Sequence, residues 1–322
     1  MKGVKKKLSV VIPAYNEEKN ISVLIKELTR VMGTTKYDFE LILVDDGSRD
    51  NTLNEIKLQA EIYPNVFYVE LSKNFGKDYA LKSGIDLANG DAVITMDADM
   101  QHPPHLLPQM LEYWEEGFDI IYTYREDSNP HVSSFQKMAS KMFYKGINAL
   151  SDITLENGIS DFRLMDQKVI KELRNIEEYE IFFRGMVKWV GFHQKGIPYT
   201  PEKRHEGEAS YSFMKLSKLA IGSIMAFSVR PLYIATGLGL FFSLASLLYI
   251  PYVAISYFAG YDAVSGWASL IATVSFFGGL QLLVLGIIGM YLGKIFLQTK
   301  HRPNYIIRST NMHVLKNDYI RV

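Results

Sequence analysis

Three short apolar runs in the first hundred residues each end in a polar cluster that contains carboxylates. The clusters are Pro13 to Glu18, Val44 to Ser48 and Asp97 to Asp99. Apolar runs of this length are typical of buried strands. The carboxyl ends of parallel strands lie along one edge of a sheet, where open α/β sheets bind ligands. The pattern therefore predicts a parallel sheet with one polar site along that edge.

The rest of the first 125 residues fits this prediction. Apolar runs alternate with amphipathic segments from residue 8 to residue 125, which indicates an α/β domain with a mostly parallel sheet. Strands are predicted at Leu8–Ile12, Glu40–Val44, Val66–Leu71, Ala92–Met96 and Asp119–Thr123, and helices at Glu17–Val31, Asn51–Ile62, Lys77–Leu87 and Pro104–Glu115. Residues 131–150 have helical spacing, and residues 151–210 are expected to mix helix and loop. The predicted domain occupies residues 1–210.

Two long uncharged segments follow this domain. Residues 231–261 and 263–293 contain no Asp, Glu, Lys or Arg, and each exceeds the ~20 residues that cross a bilayer as a helix. We predict transmembrane helices at about residues 232–258 and 267–292, within a membrane region of residues 231–298. Small residues such as Gly289 and Gly293 permit close packing with the partner span or within an oligomer.

The flanks of these segments predict the orientation. Lys and Arg occur before the first segment and after the second but not in the link between them, so the positive-inside rule places both termini and the catalytic domain in the cytoplasm. Residues 211–230 are amphipathic, which suits a helix in the membrane interface or one packed on the soluble domain; because the segment directly precedes the first predicted span, we expect a juxtamembrane helix in the interface. Residues 299–322 are expected to form a cytoplasmic tail.

The composition narrows the chemistry. Lys plus Arg and Asp plus Glu both total 35, so the net charge gives no indication of a nucleic-acid partner. The chain has no cysteine, which excludes disulfides and thiolate metal sites. Two carboxylates one residue apart at a strand end, Asp97 and Asp99, can instead converge on a hard divalent cation such as Mg²⁺ or Mn²⁺.

These motifs together resemble the inverting family 2 glycosyltransferases of the GT-A fold. Within them the chain is most similar to the polyprenyl-phosphate glycosyltransferases, the group of the bactoprenol glucosyltransferases and the related dolichol-phosphate mannose synthases. The resemblance covers about residues 7–308 and includes the two-span ending. It rests on Pro13-Ala14-Tyr15-Asn16-Glu17, Val44 to Ser48, Leu71 to Lys77, Gly90 to Pro104 and Ser160 to Asp166.

The resemblance implies a nucleotide-sugar site and a metal site. It assigns the nucleotide-sugar to Pro13, Tyr15, Glu17, Asp45, Asp46, Lys77, Asp97 and Ala98, and Mg²⁺ or Mn²⁺ to Asp97, Asp99 and Gln101. Two alternatives stay open. Either Asp45 or Asp46 could instead only shape the turn before Gly47. Lys77 could instead be a solvated charge at the start of a helix.

The resemblance also implies a lipid phosphate acceptor. It assigns the acceptor phosphate to Arg125, Lys137, Ser140 and Arg204, and the catalytic roles to Asp99, Asp161 and Arg163. Lys137 departs from the usual pattern, in which arginine is common. Asp161 is expected either to act as a general base or to orient the nucleophile, because a phosphate is already mostly ionised at pH 7.

The expected reaction is transfer of a hexose, with inversion, from a nucleotide-sugar to undecaprenyl phosphate on the cytoplasmic face of the plasma membrane. UDP-glucose is the expected donor, with galactose, N-acetylhexosamine and mannose donors as alternatives. The branch implies homo-oligomers, including tetramers. A processive polysaccharide synthase is a weaker alternative, since the chain lacks the Gln-x-x-Arg-Trp motif and further spans. A non-catalytic scaffold or flipping component is another.

Overall fold

The computed structural model describes residues 5–125, 158–200, 228–258 and 266–313. Its centre is an eight-stranded sheet with helices on both faces. The strands are β1 (Lys7–Ala14), β2 (Asp38–Asp45), β3 (Val66–Leu71), β4 (Ala92–Thr95), β5 (Ile120–Arg125), β6 (Ile159–Asp166), β7 (Gln194–Tyr199) and β8 (Ile307–Thr310). The helices are α1 (Glu18–Met32), α2 (Thr52–Ile62), α3 (Lys77–Leu87), α4 (Leu107–Glu115), α5 (Gln167–Arg174), α6 (Phe183–Trp189), α7 (Arg230–Phe258) and α8 (Trp267–Gln298).

The strands follow the order β7-β5-β6-β4-β1-β2-β3-β8. Neighbours among β4, β1, β2 and β3 pair in parallel, as do β5 and β7, whereas β6 is antiparallel to both of its neighbours. The predicted α/β fold with a mostly parallel sheet is confirmed. Because β6 is antiparallel to β4, it begins at the edge where β4 ends, and Thr95 pairs with Arg163. Asp161 therefore lies beside the turn that follows β4.

The sheet is buried on both faces because its strands alternate between two apolar clusters. In β1, Val10 and Ile12 pack in the cluster that includes α1 and α4. Val11 packs in the cluster on the opposite face, with α3 and α6. Full burial of each such side chain contributes roughly 1.5–3 kcal/mol before entropy is counted. This packing fixes the strand register, and with it the positions of the loops at the carboxyl edge.

The described part of residues 151–210 differs from expectation. It contains β6 and β7 where only helix and loop were expected, along with α5 and α6. The whole predicted helix at residues 131–150, and the amphipathic segment at 211–230 up to residue 227, lie outside the described residues. The expected C-terminal tail also contributes a strand, because β8 pairs antiparallel with β3 at the edge of the sheet.

The two long apolar helices differ in how well they meet the requirements of a membrane span. Helix α8 is long and apolar enough to cross a membrane over Ser269–Gln298, and the apolar part of this segment is not buried within the protein. In α7 the corresponding apolar stretch is shorter, Arg230–Ala245. Within the described residues, one helix therefore meets the length and composition of a membrane span, where the sequence predicted two.

Candidate active site

The turn after β4 carries the paired carboxylates at Asp97 and Asp99. It reverses sharply, with Met100 at a φ of 62°, and Gln101 donates its backbone N–H to Asp99 Oδ1 at 3.1 Å. The Asp97 backbone N–H donates to His102 Nδ1 at 2.9 Å. Asp99 is almost completely buried at 8% exposure. The turn thus presents two carboxylates from one short segment at the carboxyl edge of the sheet.

Lys77 joins this turn to the strand that carries Asp161. It is the first residue of α3, and its ammonium Nζ lies 2.8 Å from Asp97 Oδ2 and 2.7 Å from Asp161 Oδ2. Burial lowers the pKa of Lys77, but the charges of Asp161 and Asp97 outweigh burial and raise it above its ordinary value. Lys77 is therefore a permanent cation between two carboxylates. Its side chain is still 40% exposed, so Lys77 is both paired with two carboxylates and open to solvent.

Asp161 binds a second cation. Arg184, in the first turn of α6, donates from Nε to Asp161 Oδ1 at 2.8 Å and from Nη2 to Oδ2 at 2.9 Å. Burial alone would raise the pKa of Asp161, but the charges of Arg184 and Lys77 prevail and hold it well below its usual range. Such a carboxylate stays ionised and is a weak proton acceptor. Two cations therefore hold the Asp161 carboxylate in place.

Asp45 and Asp46 both bind backbone N–H groups. Asp46 accepts from Phe75 at 2.8 Å and from Gly76 at 3.0 Å, which fixes the loop before α3. Asp45 accepts from Ser48 at 3.3 Å, which closes the turn after β2. Burial raises the pKa of both carboxyl groups. Each therefore shapes a loop, and Asp46 indirectly fixes the start of the helix that carries Lys77.

The turn between Asp46 and Ser48 depends on glycine. Gly47 has a φ of 68°, and a Cβ atom there would lie 2.6 Å from backbone atoms of Lys73 and Asn74. Any other residue would force apart the loop after β2 and the loop before α3.

The remaining nucleotide-side candidates lie around the same edge. Pro13 is buried in β1, and Tyr15 is exposed just beyond that strand. The carboxylate of Glu17 accepts from Asn20 Nδ2 at 2.6 Å, at the start of α1. Ala98 is buried in the core between the two site carboxylates. Because β1 pairs with β4, the end of β1 with Pro13, Tyr15 and Glu17 lies beside the turn that carries Asp97 and Ala98.

The acceptor-side candidates are only partly described. Arg125 ends β5 and donates from Nη2 to Gln101 Oε1 at 3.1 Å. Its Nε lies 3.4 Å from the Tyr199 hydroxyl oxygen. The amide oxygen of Gln101, expected at the metal, is thus bound to an arginine in this structure. Lys137, Ser140 and Arg204 lie outside the described residues.

Arg163 does not face the open site. It is 1% exposed, donates from Nε to the Ser160 carbonyl oxygen at 3.0 Å, and lies 5.9 Å from the centre of the Phe183 ring. Its charge also lowers the pKa of Asp161. This side chain therefore supports the start of β6 and the start of α6 from within the core.

The contacts of two important residues of the site were not predicted from the sequence. Arg184 was not singled out, because nothing in the spacing of Phe182-Phe183-Arg184-Gly185 indicates a carboxylate partner. His102 had no assigned partner, although it is 2% exposed and its Nε2 lies 2.7 Å from Ser160 Oγ. Its position three residues after Asp99 was the available signal.

The carboxylates fit a cation that is shared with a phosphate. No group of three or more His, Cys, Asp or Glu side chains that could hold a metal occurs within the described residues. Mg²⁺, however, commonly binds through one or two carboxylates together with substrate phosphates. Asp97 Oδ1 is buried and has no hydrogen bond of good geometry among the described residues, although it lies 2.6 Å from Lys77 Nζ. Asp97 and Asp99 suit such a shared cation.

Comparisons with known proteins identify a family. The family model for glycosyl transferase family 2 matches residues 9–174. The uncharacterized glycosyltransferase sll0501 of Synechocystis is 39% identical over 93% of this chain and 94% of its own length. The bactoprenol glucosyl transferase of Shigella phage SfV is 35% identical over 94% of this chain and 98% of its own length.

A solved structure also matches, more distantly. The mannosyltransferase PcManGT of Pyrobaculum calidifontis, in complex with GDP-Man and Mn²⁺, has a TM-score of 0.48 and 15% identity, covering 92% of this chain and 87% of that chain. A likeness at this level says nothing about the substrate of the present chain.

The family model and the relatives at 35–39% identity define the class of protein as a glycosyltransferase. The chain belongs to glycosyl transferase family 2.

Proposed function

We propose that this protein transfers glucose from UDP-glucose to a polyprenyl phosphate, undecaprenyl phosphate, on the cytoplasmic face of the plasma membrane. The observation that carries the proposal is the position of Lys77, which binds Asp97 on the nucleotide side and Asp161 on the other side. The relatives named bactoprenol glucosyl transferase support the acceptor and the sugar. The product would be a lipid-linked sugar for modification of a surface glycan or lipid.

On the donor side, the β1, β2 and β4 loops would hold the nucleotide. Tyr15, Glu17 and the loop fixed by Asp46 border this space. Asp97 and Asp99 would hold Mg²⁺ or Mn²⁺ against the diphosphate, where the cation would offset charge on the leaving group. We leave Gln101 out of the proposed metal site, because its amide oxygen accepts from Arg125.

On the acceptor side, the chemistry needs little proton transfer. An oxygen of the lipid phosphate attacks the anomeric carbon, the bond from that carbon to the nucleoside diphosphate breaks, and its electron pair leaves with the diphosphate. A single displacement inverts the anomeric centre. Because the phosphate nucleophile is mostly ionised at pH 7, Asp161 would fix Lys77 and Arg184 and would not need to remove a proton.

The return of the chain to the sheet supports two membrane spans. β8 follows α8 and pairs with β3 of the catalytic domain, so both ends of the membrane segment lie on the same side. If α8 crosses the bilayer, the chain needs a second crossing before it. Helix α7, Arg230–Phe258, is long enough to supply that crossing. The glycine-bearing face of α8 would then contact α7 or another copy in a homo-oligomer.

The test is transfer from a panel of radiolabelled nucleotide-sugars to undecaprenyl phosphate in membranes that contain the protein, with Mg²⁺, Mn²⁺ or EDTA. We expect a solvent-extractable labelled lipid with UDP-glucose, and its loss in EDTA. Labelled lipid obtained with a different donor would support the proposed acceptor and would change the proposed sugar to that of the donor. An Asp99→Asn variant serves as the inactive control, and the absence of labelled lipid with every donor would refute the polyprenyl-phosphate acceptor.

A further inference from the structure

The segment of residues 175–182, here called the connecting segment, joins α5 to the helix that binds Asp161. Helix α6 begins at Phe183. Arg184, in its first turn, makes the paired contacts with the Asp161 carboxylate. The connecting segment has no helix or strand of its own. The position of the Arg184 guanidinium therefore depends on what holds this segment in place.

Gln298, the last residue of the long apolar helix α8, binds the backbone of the connecting segment. Its amide oxygen accepts from the backbone N–H of Tyr179 at 2.7 Å, and its amide nitrogen donates to the Glu177 carbonyl oxygen. Tyr179 and Gln298 are 119 positions apart in the sequence. One side chain thus satisfies a donor and an acceptor of a backbone that has no regular pairing.

Two neighbouring contacts attach the same segment to the same helix end. Lys294, one turn earlier in α8, pairs with the Glu180 carboxylate at 2.7 Å. Asn304, just beyond α8, donates from Nδ2 to the Glu178 carbonyl oxygen at 3.0 Å. The end of α8 and the chain that follows it therefore bind each of the four consecutive residues 177–180.

The first turn of α3 holds the connecting segment from its other side. The Tyr79 hydroxyl donates to the Tyr179 carbonyl oxygen at 3.0 Å and accepts the backbone N–H of Ile181. The neighbouring Asp78 carboxylate accepts the backbone N–H of Phe183. The segment is thus bound between the end of α8 and the start of the helix that carries the site lysine.

We propose that Gln298 is a positioning residue for sugar transfer. By holding the connecting segment, it fixes the start of α6 and, through Arg184, the carboxylate of Asp161. The inference rests on the proposed function, which puts Asp161 on the acceptor side of the site and α8 in the membrane. The contact would then align the acceptor side with the bilayer that holds the lipid chain. Rates respond strongly to such alignment, since a misplacement of about 1 Å can lower a rate about 100-fold.

The nucleotide side should not depend on this contact. Asp161 belongs to β6, on one side of β4, whereas the nucleotide candidates lie at the ends of β1 and β2, on the other side. Loss of Gln298 should therefore lower the turnover number and leave the KM for the nucleotide-sugar almost unchanged. This split separates positioning from general damage to the fold.

The experiment compares full-length wild type with Gln298→Ala, Tyr79→Phe and the control Thr299→Ala, all purified into lipid nanodiscs. Thr299 is the exposed neighbour of Gln298, and its hydroxyl donates to Phe296 of its own helix. Steady-state rates against UDP-glucose and undecaprenyl phosphate give kcat and both KM values. Hydrogen–deuterium exchange, resolved to single amides by fragmentation, follows the connecting segment. Melting temperatures are measured for all four proteins.

We expect Gln298→Ala to lower kcat about 5- to 20-fold, with the KM for UDP-glucose within about twofold of wild type. The melting temperature should change by less than about 3 °C, because the contact is at the surface. The amide of Phe183 should exchange faster although its own partner, Asp78, is unchanged. Tyr79→Phe should show the same signature, since it releases the segment from the other side. Thr299→Ala should match wild type throughout.

Each failure has its own signature. Faster exchange confined to Tyr179, or a kcat for Gln298→Ala within twofold of wild type, would overturn the inference, while transfer by the wild type leaves the proposed function intact. A KM for UDP-glucose that rises as much as kcat falls would also overturn it. A wild type that transfers no sugar to undecaprenyl phosphate would refute the proposed function. Exchange at Phe183 alone would then decide whether Gln298 fixes the start of α6.

Discussion

His102 Nε2 lies 2.7 Å from Ser160 Oγ, and this contact joins the turn that carries Asp97 and Asp99 to the strand that carries Asp161. The other ring nitrogen, Nδ1, accepts the backbone N–H of Asp97 at 2.9 Å. Nδ1 must therefore be unprotonated, and Nε2–H donates to the serine. Burial agrees, since it lowers the pKa of His102. The ring also stacks on Phe162, with centroids 5.3 Å apart.

Replacement of His102 by alanine should therefore impair both stability and turnover. The change leaves a buried N–H at Asp97 and a buried hydroxyl at Ser160 without this partner, and it opens a cavity. We expect a loss of about 2–4 kcal/mol in the free energy of unfolding and a kcat lower by at least about tenfold, because the turn shifts. Differential scanning calorimetry and initial rates measure these. His105→Ala, an exposed histidine in the same loop, should match wild type.

Lys77 should be needed for transfer at every substrate concentration. In Lys77→Met, Asp97 and Asp161 lose the cation that lies between them, and the two carboxylates repel each other. We expect kcat to fall at least about 100-fold, with Lys77→Arg recovering part of the loss through its charge. The matched control is Lys73→Met, an exposed lysine in the preceding loop. Transfer by Lys77→Met within twofold of wild type would contradict this role.

The sequence predicted the first half of the fold better than the second, and the reason is physical. β1 to β5 are apolar runs, and their predicted bounds agree with the structure to within a few residues. β6 was missed because it carries Ser160, Asp161 and Arg163, which are polar yet buried. Buried polar residues break the apolar pattern on which strand prediction depends. β8 has four residues and pairs with β3 far away in sequence.

The sequence predicted those parts of the site whose residues are neighbours within one short motif. Asp97 and Asp99 share one turn, and Asp161 follows from the resemblance. The contact of Asp161 with Lys77 joins residues 84 positions apart, and that with Arg184 depends on how α6 packs on β6. Local spacing contains no information about such pairs, so they appear only when the sheet order is known.

Asp78 should make the stability of the protein depend on pH. Burial, aided by the charge of Asp161, raises its pKa from 3.8 to about 6, while Lys77 and Arg184 act in the opposite direction. The folded protein thus holds a proton between about pH 4 and 6 that the unfolded chain releases. Stability therefore falls as pH rises through this range, and the cost is complete above the folded pKa.

Asp78→Asn removes that cost and keeps an oxygen acceptor. We expect the variant to melt like wild type near pH 4 and to be more stable by on the order of 1–2 kcal/mol at pH 7.5. Melting temperatures in detergent at several pH values measure the difference. Glu61→Gln, which neutralises an exposed carboxylate, should show no such trend. A difference between Asp78→Asn and wild type that stays constant with pH would contradict the assignment.

Single introduced cysteines can determine the membrane topology, because the chain itself has no cysteine. In the two-span arrangement, the link between α7 and α8 faces outward and the end of α8 faces the cytoplasm. Ser265→Cys should react with a membrane-impermeant maleimide in intact cells, and Lys300→Cys only after permeabilisation. Protection of both positions, or labelling of both, in intact cells would contradict two spans. The unmodified protein supplies the background.

β8 should stabilise the catalytic domain although it follows the membrane helices. Ile307 is 3% exposed, and the buried carboxylate of Glu70 accepts from Arg308 at 3.1 Å and Ser309 at 2.6 Å. A chain that ends at residue 306 loses the burial of Ile307 and exposes the edge of β3. Glu70 also loses Arg308 and Ser309 and keeps Lys57 as a partner.

Truncation at residue 306 should lower the free energy of unfolding by about 3–6 kcal/mol, because it removes one buried aliphatic side chain and several hydrogen bonds. A chain that ends at residue 313 keeps β8 and is the matched control, with a melting temperature near that of wild type. Calorimetry in detergent and limited proteolysis compare the three proteins. If the two truncated chains had the same melting temperature, the pairing of β8 with β3 would not contribute to stability. The placement of both ends of the membrane segment on the same side would then lose its structural support.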